Sequence, residues 1–182
     1  MNLGLKSRKG FITGGTWCVD HNKLVKDWPK EEEVVEIIEE HIRGGGSACN
    51  LAFDLKRLDP SLPVSTIGLV GEDEDGRHLF QQALEVGLET KLLLTTTIVK
   101  TQKTDAYTAS SSGRRTHLYF AGTAEYLTPD HFDFSQTNAR FLHLGLPGVH
   151  DQLDKPWDQD PNGWVTVCLL YTSPSPRDEV LS

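Results

Sequence analysis

The stretch GGGSACNLAFDLKRL, residues 44–58, sets three glycines directly before a segment with the periodicity of one amphipathic helix. Leu51, Ala52, Leu55 and Leu58 recur at helical spacing, and Asp59-Pro60 closes the element because proline cannot continue a helix. The first turn of a helix leaves backbone N–H groups unpaired, and with the helix dipole they attract oxygen-rich or anionic groups. Gly44, Gly45 and Gly46 lack the Cβ that would hold a ligand away from that backbone. Asn50, four residues after Gly46, offers a donor and an acceptor on the same side of the helix. The combination suits a hydroxyl-rich ligand. It is equally compatible with a plain tight turn followed by a locally bonded asparagine.

Outward from this stretch, strand and helix patterns alternate. GFITGGTWCVD (10–20) reads as a first strand kinked at Gly14 and Gly15, with Asp20 following it and Trp28-Pro29 ending the excursion. KEEEVVEIIEEHIR (30–43) is ambiguous: its Glu and Lys content favours helix, whereas its Val and Ile residues could line a strand. PVSTIGLVG (63–71) reads as a buried strand, and DGRHLFQQALEVG (75–87) as a helix stopped by Gly87. Residues 104–122 alternate Thr and Tyr around a Ser112-Gly113 turn, the pattern of a β-hairpin, and ARFLHLGLPG (139–148) is a further buried strand. This order indicates an α/β fold with a small β excursion.

Composition narrows the function classes. The 182 residues carry 18 Lys and Arg against 26 Asp and Glu, a net charge of −8. Such a surface repels nucleic acid and anionic membranes, so neither is an expected partner. No apolar run reaches the length of a membrane span, and the N-terminus lacks a signal-peptide pattern, which together predict a cytoplasmic protein. Cys18, Cys49 and Cys168 are odd in number and far apart, as expected of buried free thiols. The seven histidines show no HxH or HExxH spacing, so a metal site built by protein side chains alone is not expected. A dinucleotide GxGxxG would need glycine where Cys49 stands, and a Walker loop is absent. The acidic run at 71–76 has Gly71 and Gln82 where a calcium loop needs acids.

Taken in order, GGTWCVD, GGGSACNLA and IGLVGEDEDG resemble the N-terminal half of the ribokinase-like (pfkB) carbohydrate kinase family, from about Phe11 to Val167. The most specific element is Gly45-Gly46-x-x-x-Asn50 followed by Gly71-x-Asp73-x-x-Gly76. The resemblance implies an α/β, ribokinase-like three-layer sandwich, truncated here, with a small β lid drawn from about 32–43 and 92–122. The strand at 32–43 then runs against local helix propensity. It implies that Asp20, Gly45, Gly46 and Asn50 hold sugar hydroxyls, while Asp73 and Gly76 shape a loop. By itself, Asp20 also reads as a turn or cap residue. Thr104, Asp105, Tyr107, His117 and Tyr119 could face the sugar from the lid or simply form amphipathic sheet.

The implied reaction is ATP- and Mg2+-dependent phosphorylation of a sugar or nucleoside hydroxyl, with a homodimer through the lid as the implied assembly. The family's catalytic Gly-Ala-Gly-Asp string is not in this sequence, so no catalytic residue is assigned and the chain reads as an inactive substrate-binding fragment, residues 1–167. A non-catalytic sugar-binding or regulatory module is the alternative. Residues 168–182, CLLYTSPSPRDEVLS, have the composition of a flexible end and resemble translated adapter sequence, a non-native tail.

Overall fold

A computed structural model of the chain describes residues 8–172. Four parallel strands form a central sheet in the order β5-β4-β1-β8: β1 (Phe11–Gly15), β4 (Val64–Gly71), β5 (Glu89–Thr96) and β8 (Phe141–Gly145). Helices α1 (Ser47–Leu58) and α2 (Glu74–Glu85) pack on one face, where Ala48, Cys49, Ala52, Phe53, Leu79 and Ala83 meet Val64, Val70 and Leu93. On the other face Ile12, Ile67, Leu69 and Leu92 pack with Leu127, Phe132 and Leu153 and with Trp164 and Val167. The last two belong to α4 (Gly163–Thr172), which follows the one-turn α3 (Asp151–Asp154). This is the three-layer α/β sandwich. All eight residues of β4 are buried, as expected of a parallel strand covered on both faces.

A second four-stranded sheet, β3-β2-β6-β7, rises from the carboxyl ends of the first. Its members are β2 (Cys18–Val25), β3 (Ile37–Gly45), β6 (Lys103–Ala109) and β7 (Arg115–Phe120). The stretch 10–20 is therefore two strands in two sheets, not one kinked strand. Trp17 makes the crossing: its indole is buried, donates to Thr66 Oγ1 at 2.9 Å and packs on Phe53 with ring centroids 6.1 Å apart.

Residues 37–45 form a strand where propensity favours helix, because antiparallel pairing with β2 along its length outweighs the weak helical bias of Glu. The segment expected to form the second part of the lid divides. Residues 92–96 end β5 in the central sheet, where Leu92 and Leu93 bury opposite faces, and only β6 and β7 join the second sheet.

Residues 168–172, expected to be flexible, are helical within α4, where Tyr171 packs on Phe134 at 5.1 Å and donates to the Ala139 carbonyl at 3.2 Å. The remainder of the expected tail, 173–182, lies outside the described residues. Cys18 and Cys49 are buried, but Cys168 is exposed on α4.

Candidate functional site

Parallel α/β sheets bind ligands beyond the carboxyl ends of their strands, where the chain connections diverge. Here β1 is followed in space by β4 on one side and β8 on the other, and both β2 and the start of α1 lie at that end. Gly46 is the N-cap of α1 at φ 90°, a left-handed conformation that β-carbon-bearing residues disfavour, and it offers no side-chain cap. A Cβ on Gly46 would also sit 2.5 Å from the Thr16 carbonyl oxygen. Thr16 is fixed in turn, its hydroxyl 2.7 Å from His150 Nε2, while His150 Nδ1 lies 3.2 Å from the Ala124 carbonyl. Nδ1 therefore carries the proton that it donates to Ala124, leaving Nε2 to accept from Thr16. Burial holds the His150 pKa below the ordinary histidine value, which keeps the ring neutral in this arrangement.

Asp20 and Gly45 come together directly. A Cβ on Gly45 would overlap Asp20 Oδ2 and lie 2.8 Å from its Cγ, so glycine is what lets the carboxylate lie across the helix entry. Asn50 follows one turn later, its N–H donating to the Gly46 carbonyl at 2.9 Å. Its side chain is exposed and makes no hydrogen bond with another described residue, and it does not bond Asp20. The four candidate residues thus form a continuous feature running from Asp20 through Gly45 and Gly46 to Asn50. Chemically it offers carboxylate acceptors, the first N–H groups of a helix and one free amide, a set that can grip adjacent hydroxyls.

Cys18 and Cys49 stand beside it. Burial, then the Asp20 charge, pushes the Cys49 pKa up to about 12, and the same two causes raise Cys18 further. Both remain protonated thiols and neither is a nucleophile.

The second motif is structural. Asp73 caps α2, accepting from the Gly76 N–H at 2.8 Å, and it also accepts from the Thr101 hydroxyl at 2.6 Å and the Thr101 N–H at 2.8 Å. Thr101 in turn accepts from the Gly71 N–H at 2.9 Å. Burial opposes ionisation of Asp73, but these donors outweigh it and hold the carboxyl below its usual range. The clamp ties the end of β4 to the segment that enters β6.

Strand register sorts the second sheet into faces. Arg43, Asp20, Thr104 and Tyr119 form one cross-strand row; His41, Asn22, Ala106 and His117 form the next; Glu39, Leu24, Thr108 and Arg115 the third. Thr104, His117 and Tyr119 therefore share the Asp20 face, whereas Asp105 and Tyr107 lie on the reverse with His21 and Lys23. On that reverse face Lys23 pairs with Asp105, and His21 Nε2 reaches Asp75 Oδ1 of α2 at 3.0 Å. Arg43 on the Asp20 face was missed in the sequence because 30–43 also reads as helix. Strand alternation outward from Asp20's partner strand was the signal that could have found it.

The family model described as pfkB family carbohydrate kinase matches residues 14–154. The chain belongs to this family. Among solved structures, a ribokinase from Arabidopsis thaliana complexed with ribose and ATP is similar at TM-score 0.64 and 21% identity, covering 75% of this chain and 45% of that one. A ribokinase from Thermotoga maritima is similar at 0.66 and 16%, covering 74% and 44%. A nucleoside kinase from Methanocaldococcus jannaschii is similar at 0.64 and 18%, covering 85% and 51%. These likenesses establish the shared fold, and the chain spans about half the length of each of the three, from 44 to 51%. No match is found among curated proteins. Among the described residues of this pfkB-family chain there is no group of three or more His, Cys, Asp or Glu side chains able to hold a metal ion. No helix among them is long and apolar enough to cross a membrane.

Proposed function

We propose that this chain is the acceptor-binding half of an ATP- and Mg2+-dependent kinase acting on a hydroxyl of a sugar or nucleoside. The observation that carries the reading is the Asp20 carboxylate lying across Gly45 at the uncapped entry of α1. Asp20 accepts from acceptor hydroxyls, the Gly45–Gly46 backbone approaches them closely, and Asn50 donates to or accepts from a neighbouring one. The second sheet acts as a lid that excludes water, so that phosphate passes to the acceptor hydroxyl and not to solvent. Nucleotide, magnesium and the base that orients the attacking hydroxyl belong to the length of relatives that this chain does not span, so the chain alone is inactive. The setting is cytoplasmic. The assembly is a homodimer through the second sheet, supported by Ile38, Ile42, Leu118 and Phe120, which stand 43–54% exposed on the face opposite Asp20.

Calorimetric titration of a neutral sugar such as ribose into the chain tests the reading. Asp20→Asn and Asn50→Ala should each weaken binding about tenfold, the loss of one or two hydrogen bonds to the ligand. Unchanged affinity in both variants would remove these residues from the pocket.

A further inference from the structure

We propose that Ser47 and His143 are a positioning pair for the α1 entry, the Ser47 hydroxyl donating to His143 Nε2 beside Gly145. The proposal rests on the acceptor-site reading above and adds to it two residues that touch no ligand. Ser47 is the first residue of α1 and follows Gly46, so its place fixes the direction of the backbone N–H groups that open the helix. His143 lies in β8, and Gly145 ends that strand.

Three buried side-chain atoms among the described residues lack a hydrogen-bond partner, and two of them are Ser47 Oγ and His143 Nε2. Such atoms are rare in folded proteins, because losing water without gaining a partner is costly. These two meet at one point. A Cβ on Gly145 would overlap Ser47 Oγ and lie 2.6 Å from Ser47 Cβ and 2.8 Å from His143 Nε2. Hydroxyl and imidazole therefore border the same space, and their chemistry is complementary: serine donates, and an imidazole with its proton on Nδ1 accepts at Nε2. Rotation of either side chain joins them. Gly145 does not have a positive φ, so space and not backbone conformation is what calls for glycine there.

The surroundings are those of a held corner. Thr13, Thr66 and His143 are register partners in β1, β4 and β8, and they share the α1 face because Ile12, Ile67, Leu142 and Leu144 take the opposite one. Thr13 and Thr66 are joined at 3.0 Å, and Trp17 donates to Thr66. His143 ends this polar row and is the member left open. Directly after Gly145, Leu146 holds φ 74°, a left-handed conformation that is costly for leucine and persists only where neighbouring contacts impose it. The same chemistry is already made beside Gly46, where Thr16 meets His150 Nε2 at 2.7 Å. One hydroxyl–imidazole pair thus backs Gly46, and the second begins at the next residue.

The test reads the pairing and its consequence separately in the 182-residue chain. Nitrogen NMR at mildly alkaline pH should find His143 as the Nδ1–H tautomer, with an Nε2 resonance that shifts in Ser47→Ala. Ribose titrated by calorimetry should bind about fivefold more weakly to Ser47→Ala and to His143→Leu, and no more weakly to the double variant, since one bond is lost in all three. His143→Gln, whose amide oxygen reaches the place of Nε2, should restore affinity to within about twofold of wild type. Circular dichroism confirms that each variant is folded. An Nε2–H tautomer, losses that multiply in the double variant, or His143→Gln as weak as His143→Leu would each overturn the proposal. Unchanged ribose affinity in Ser47→Ala and His143→Leu would do the same, and a loss in Asp20→Asn would then show that the acceptor site itself stands. If Asp20→Asn and Asn50→Ala also leave ribose unaffected, the acceptor-site reading fails and the proposal with it.

Discussion

In the central sheet every residue of β4 is buried, whereas in the second sheet every residue of β7 is exposed and only Gly45 of β3 is fully covered. Both sheets have four strands and comparable ladders, so backbone hydrogen bonding does not separate them. Burial does: the central sheet is covered on both faces, while the second is anchored at a few points. These include the Trp17 crossing, Val19 buried in the same core cluster, the Asp73–Thr101 clamp and the His21–Asp75 bridge. Few buried contacts mean low local stability, which is what a mobile cover over a site requires. The candidate site straddles this boundary, with Gly46 and Asn50 on the rigid scaffold and Asp20 on the loosely held sheet.

Removing the largest anchor should cost most. Trp17→Ala deletes a fully buried indole that touches both the core and the crossing, and should lower unfolding free energy by about 3–5 kcal/mol in urea titrations. A loss below about 1 kcal/mol would mean that the crossing is not held by packing. The clamp comes second. Asp73→Ala removes the α2 cap and leaves the Thr101 N–H unsatisfied, for about 1–2 kcal/mol. Because the native Asp73 carboxyl titrates below its unfolded value, its contribution is complete above the ordinary aspartate range and is lost as pH falls through the lowered native value. Wild type and Asp73→Ala should therefore converge in stability at strongly acidic pH, and a constant gap across the titration would contradict the ionised cap.

The same contrast explains what could be read in the sequence. Elements of the central layer were legible because burial leaves a pattern: Ala52 and Leu55 of α1 pack on the core at helical spacing, β4 is buried along its whole length, and Gly87 stops α2. The second sheet was not, since exposed strands need no apolar pattern, and Glu-rich β3 carries helix-favouring residues into a strand. The 92–96 error has the mirror-image cause: consecutive leucines bury both faces of β5 and show no alternation. For the site, glycine spacing and the family resemblance picked out Gly45, Gly46 and Asn50. The contact between Asp20 and Gly45 depends on the register of β2 against β3, which no local pattern encodes. Alternation contained a further unused signal, for Thr104 and Asp105 are adjacent in a strand and cannot both face the same ligand.

The smallest expected effect tests the boundary most sharply. His21→Ala breaks the link from β2 to Asp75 at the start of α2, and because partly exposed pairs of this kind contribute at most about 1 kcal/mol, global stability should barely change. Hydrogen exchange should nevertheless respond unevenly. Amides of β2, β3, β6 and β7 should lose protection, because their opening no longer has to break the bridge, while those of β1 and β4 keep the protection set by global unfolding. Uniform loss in both sheets would show that they open as one cooperative unit. That result would remove the physical basis for a second sheet that moves over a fixed α1 entry.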